Sequence, residues 1–139
     1  MGRRAKRRIF YVVVLVGLVA GAGFFIHSLP AMQGSGPEGV AVRAITAIPG
    51  GDIEKVVENF TPLARTLMIQ RLQGMYAYGD IDIENLETIL LYEEDLAARV
   101  NATYDIIIMQ GGHMDTQHCD KNIKLILNTD GKWYINEAF

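Results

Sequence analysis

At 139 residues the chain has room for one small domain and an appendage, and five of its thirteen Lys and Arg residues stand before position 9. From Gly34 onward eight Lys or Arg face sixteen Asp or Glu, an acidic excess that argues against nucleic acid or anionic lipid headgroups as partners of that part. Cys119 is the only cysteine, which excludes an internal disulfide.

Residues 1–8 form a basic leader with Arg3, Arg4, Lys6, Arg7 and Arg8. Residues 9–29 then contain no Asp, Glu, Lys or Arg. As a helix rising about 1.5 Å per residue this run spans about 30 Å, the thickness of the hydrocarbon layer, and reads as a transmembrane helix. All the carboxylates follow it, so the positive-inside bias predicts a single pass through the plasma (inner) membrane. The N-terminus is then cytoplasmic and the remainder extracytoplasmic or periplasmic. A cleaved signal peptide is the rival reading. The run exceeds the usual apolar core of about 7–15 residues, and "SLPAMQ" is a poor cleavage site, so a retained signal-anchor is expected. Gly17 and Gly21 form a GxxxG pair that would let two such helices pack as a homodimer. The competing reading is that small residues are simply common in membrane helices.

Residues 30–36 make a short flexible linker, and a domain is expected over 37–139. "PEGVAVRAITAI" puts Ala41, Ala44, Ile45 and Ile48 on one helical face, with Pro37 suited to the first turn. "PGG" breaks the chain, and Asp52 is placed to cap a second helix with Ile53, Val56, Val57 and Phe60 inward. Thr61-Pro62 reads as cap and first-turn proline of a third helix, with Leu63, Leu67 and Leu72 expected inward.

After Gly79 the period changes from helical to alternating. "ENLETILLYE" favours a strand by composition, although "GDIDIENLE" before it shows no clear boundary. "ARVNATYDIIIM" alternates, with Val100, Ala102, Tyr104, Ile106 and Ile108 on one face. "KNIKLILN" buries Ile123, Leu125 and Leu127. Asn128 to Gly131 is a tight turn, and "KWYINEAF" follows with Trp133 and Ile135 inward. Three helices followed by about four antiparallel strands predict an α+β domain, helices covering one face of a curved sheet.

The helix–"GGD"–helix–"TP"–helix order and the terminal Asp130-Gly131-Lys132-Trp133-Tyr134-Ile135 strand resemble the NTF2-like (cystatin-like, cone-shaped) superfamily. They are similar in particular to its membrane-anchored DUF4878-type bacterial domains. The resemblance covers residues 37–139 and implies a fold; its motifs are turn chemistry and core filling, so it implies no activity by itself.

"GGHMDTQHCDKN" (111–122) gathers His113, Asp115, His118, Cys119 and Asp120. Such donors suit zinc or copper, yet the spacing matches no recurrent metal motif, and a polar loop with Met114 to Gln117 at its tip is the commoner reading. Adjacent Cys119 and Asp120 would point to opposite faces if the strand had already begun. Relatives of the resembled fold include isomerases and dehydratases with an Asp–His pair inside the cone. The inward positions expected here hold no carboxylate or histidine, so neither catalysis nor a cofactor is expected.

The expectation that remains is a non-catalytic accessory or assembly subunit of a membrane protein complex. It would dock through its extracytoplasmic domain by protein–protein contact, with Trp133, Tyr134 and Phe139 of the terminal strand as partner-binding residues. A tethered binder of a small apolar ligand in the cone is the alternative, and it needs a pocket of about 300 Å³ or more. A metal protein or enzyme using the His113–Cys119 segment is a third.

Overall fold

The computed structural model describes residues 36–139. The leader, the apolar run with Gly17 and Gly21, and most of the linker lie outside the described residues. Among those described, no helix is long and apolar enough to cross a membrane.

Helix α1 (Pro37–Ala47) begins on its N-terminal proline and runs into a single 3₁₀ turn, Ile48–Gly50. Gly51 at φ 74° ends that turn in the left-handed region. The Asp52 side chain then accepts the Lys55 N–H and starts α2 (Ile53–Val57). Thr61 caps α3 (Pro62–Tyr78) in the same way, accepting the Ala64 N–H. Four antiparallel strands follow: β1 (Asp80–Glu94), β2 (Ala97–Gln110), β3 (His113–Leu127) and β4 (Trp133–Ile135). They form one sheet in the order β1-β2-β3-β4. The α+β class, with three helices on a four-stranded antiparallel sheet, is as expected.

One face of the sheet carries the core. Val100, Ala102 and Tyr104 are buried there with Ile123 and Leu125, against Val40, Ala41, Ala44, Ile45, Val56 and Val57 from the first two helices and Phe60 just after them. A sheet covered on one side alternates in this way because successive side chains point to opposite faces. Beyond its pairing with β3, β4 is tied to the start of α3: the Ile135 N–H donates to Asn59 O at 2.8 Å, and the Thr61 N–H donates to Ile135 O at 2.9 Å. The edge that a three-residue strand would leave open is thereby closed.

Three sequence expectations need correction. Leu63 and Leu67 are exposed; α3 buries Leu72 as expected, with Ala64 and Met68 in place of the other two. The helix is apolar on two sides, and the Thr61 cap with its tie to β4 fixes which side faces the sheet. Second, no loop spans Met114 to Gln117. The turn is only Gly111-Gly112, at φ 55° and 83°, and β3 begins at His113. Two residues of positive φ suit the twist of a tight hairpin, which glycine permits without strain. Third, β4 is three residues long, not eight. The unclear "GDIDIENLE" segment belongs to β1, whose register slips between Glu84 and Glu87 while Asn85 stands at φ 56°.

Candidate functional site

The space between the helices and the middle of the sheet is filled by side chains, and a cavity of about 300 Å³ opens at the far end of the inner face, lined by Tyr78, Ile108, Gln110, His113, Met114 and Asp115. Met68, Leu72 and Tyr104 are among the largest fully buried residues, and Cys119 belongs to the same cluster. Tyr104 and Cys119 are directly paired across β2 and β3. Burial pushes both the Tyr104 phenol and the Cys119 thiol up, so each is protonated at neutral pH. Protonated groups of this kind do not serve as bases or nucleophiles. The buried carboxylate Asp82 is paired with Ile107, on the face opposite Ile81 and Ile83, and so lies outside this interior.

Alternation along β3 divides the 113–120 cluster. His113, Asp115 and Cys119 pair with Gln110, Ile108 and Tyr104 on the inner face; His118 and Asp120 pair with Asp105 and Thr103 on the outer one. The four residues His113, Asp115, His118 and Cys119 are therefore not brought together. Among the described residues, no group of three or more His, Cys, Asp or Glu is arranged to hold a metal ion.

The outer face instead builds a polar ladder. His118 Nδ1 lies 2.8 Å from Asp105 Oδ1, and Asn85 Nδ2 donates to Asp105 Oδ2 at 2.6 Å. Those two contacts, Asn85 first, hold the Asp105 carboxyl below its usual range. Asn101 donates to Asp120 and Arg99 to Asn122 further along the same face. The Asp–His contact stands on an open surface with the imidazole largely exposed, without the dry pocket that acid–base chemistry requires.

Trp133 and Tyr134 line a cleft of about 410 Å³ together with Val40, Arg43, Glu58, Asn59 and Lys132. Trp133 is buried and belongs to the core, so the cleft meets only its margin. Phe139 stacks on Phe60 with ring centroids 5.5 Å apart. The Tyr134 hydroxyl donates to Asp130 Oδ2 at 2.7 Å, which lowers the Asp130 carboxyl and raises the Tyr134 phenol. Of the three terminal residues singled out from sequence, two are thus turned inward and Tyr134 is half-exposed.

The exposed apolar surface lies mainly elsewhere. Leu63 (85%) and Leu67 (48%) are solvent-exposed together at the start of α3, and Tyr78 (66%) is exposed at its end, with Gln70, Arg71 and Gly74 between them on that side. Arg65 and Arg71 are the only charged residues in α3. A second exposed group, Ile89, Leu90, Leu91, Tyr92 and Leu96, occupies the far end of β1 and its turn. The apolar periodicity of "PLARTLMIQRL" held the first signal, but it marked two stripes without saying which one the sheet would cover.

No family model and no curated protein matches the chain. Its likeness to solved structures is one of fold. A ketosteroid isomerase-like protein from Erwinia carotovora atroseptica superposes with a TM-score of 0.60 at 13% identity, over 70% of this chain and 86% of that one. A Catenulispora acidiphila protein in complex with S-DNPA gives 0.54 at 15%, over 69% and 82%. A SEC-C motif containing protein from Rhodopseudomonas palustris gives 0.54 at 19%, over 74% and 78%. The described domain therefore has the ketosteroid isomerase-like, NTF2-like fold.

Proposed function

We propose that this protein is a non-catalytic, membrane-anchored accessory subunit of a membrane protein complex, and that it docks through its NTF2-like domain. The observation that carries the reading is the contrast between a packed core and the exposed leucines at the start of α3. A domain that binds substrate spends its concave face on a pocket; this one fills the middle of that face and leaves Leu63 and Leu67 in solvent. Exposed aliphatic and aromatic side chains on a rigid helix suit the centre of a protein interface. The docking surface extends to the terminal segment. The Thr61 hydroxyl donates to Asn136 Oδ1 at 3.1 Å, which joins the start of α3 to the segment that follows β4.

Residues 9–29 hold the domain at the membrane in this reading. The finer kinship is with DUF4878-type domains, supported by the Gly51-Asp52 junction, whose aspartate caps α2, and by the Asp130-Gly131 turn before β4. The test is purification of the intact tagged chain from its native membrane in mild detergent, beside the Leu63→Asp/Leu67→Asp variant. A partner in fixed stoichiometry with the native chain and lost from the variant supports the proposal. Recovery of both chains alone contradicts it.

A further inference from the structure

We propose that the end of the β1–β2 hairpin, with Ile89, Leu91, Tyr92 and Leu96, rests on the surface of the bilayer that holds residues 9–29, a claim that depends on the membrane-anchored reading above. Ile89 is 62% exposed and Leu96 65%, and the other two are also exposed. These side chains lie on both faces of the sheet at the end of β1, an edge strand, and at the turn that follows it. Soluble edge strands are ordinarily blunted by charge or covered; the last part of this one is apolar along Ile89–Tyr92 before the acidic Glu93, Glu94 and Asp95 at the turn.

The position of α1 supplies the occupant. That helix packs against β1, and burial raises the carboxyl of Glu38, its second residue, while the nearby Leu90 backbone lowers it. The chain therefore joins the domain beside this apolar end. Seven linker residues, 30–36, separate that junction from the apolar run, and at about 3.5 Å each they reach no more than about 25 Å. A tether so short, attached next to exposed Leu and Tyr side chains, brings them to the interface that the tether enters. Tyr92 suits headgroup depth, having an apolar ring and a polar tip. The acidic turn sets the lipid chemistry: Glu93, Glu94 and Asp95 are repelled by anionic headgroups and tolerated by a choline-bearing zwitterionic surface.

The experiment uses the full chain, reconstituted in vesicles of phosphatidylcholine brominated on the upper acyl chain. Trp133 is buried and serves as a low background. A second tryptophan is introduced as Leu96→Trp or, for comparison, as Met114→Trp. Met114 is equally exposed but follows the turn at the opposite end of β2, a strand of 14 residues and so about 45 Å long. The expected result is quenching at position 96 at least about threefold stronger than at 114, as shallow interfacial contact gives. Replacing the choline lipid with phosphatidylglycerol should weaken it. Equal quenching at the two positions in a chain that floats with the vesicles overturns the proposal and leaves the anchor intact. A blue shift at position 96 without lipid quenching, lost on dilution of the chain, also overturns it, because a second copy then covers the patch. A chain that does not float removes the membrane reading itself.

Discussion

Truncation of Leu72 and of Leu63, two leucines on one helix, separates the observed orientation of α3 from the one its sequence suggests. Leu72 is fully buried against the core, whereas Leu63 is 85% exposed. Leu72→Ala removes methyl and methylene groups equivalent to about three CH₂, or about 2.4 kcal/mol of transfer free energy. The surrounding Met68 and Tyr104 are themselves buried and cannot collapse fully into the space, so a residual cavity raises the total to about 3–4 kcal/mol. Leu63→Ala should change stability by less than about 0.5 kcal/mol. The assay is urea denaturation of the intact chain in mild detergent, followed by the fluorescence of its single tryptophan, Trp133, which sits at the edge of the same core. Equal losses for the two variants would refute this orientation of α3. A loss below about 1 kcal/mol for Leu72→Ala would refute the filled interior, because removing a side chain that lines an open pocket leaves little new cavity.

Gly79→Ala should be strongly destabilising, by about 2 kcal/mol or more, since its φ of 155° is unusual for a side-chain-bearing residue and the added Cβ would overlap the Met109 carbonyl oxygen; thermal melts of the variant check this. Thr61→Ala removes both the α3 cap and the contact to Asn136, and denaturation should show a loss of about 1–2 kcal/mol. Asp105 is held below its normal range when folded, so its contribution to stability is present above the unfolded carboxylate value of about 3.9 and is lost as pH falls through the folded one. Asp105→Asn should therefore flatten the acid limb of a stability–pH profile below about pH 4; an unchanged limb contradicts the Asn85–Asp105–His118 linkage. Gly17→Ile with Gly21→Ile should abolish self-association in detergent if that pair joins two anchors, as sedimentation would report.

The strands were legible where one face meets the core. Val100, Ala102 and Tyr104 alternate with Arg99, Asn101 and Thr103, and the burial follows that alternation residue by residue. The signal failed at the other end of the hairpin. From His113 to His118 every residue is exposed, and β3 is polar there although the paired stretch of β2 buries Ile106 and Ile107. A polar run in that position looks like a loop, and only the Gly-Gly pair marked how short the true turn is. In β1 the break at Asn85 interrupts the period-two pattern, and the paired strand β2 restores the register on either side. Helix α3 posed a different problem: Leu63 and Leu67 are as apolar as Met68 and Leu72. A helix with two apolar stripes has two self-consistent orientations until its neighbours are known. That second stripe, misread from sequence as core, is the surface on which the functional proposal rests.

Photo-crosslinking in the native membrane tests the proposed docking most directly. A short-range photoreactive side chain is placed at Leu63 or Leu67 on the exposed start of α3, and at His118 on the exposed outer face of the sheet. The account predicts one discrete heteromeric adduct from both α3 positions and none from His118. No adduct from α3, or an equal yield from His118, would contradict it.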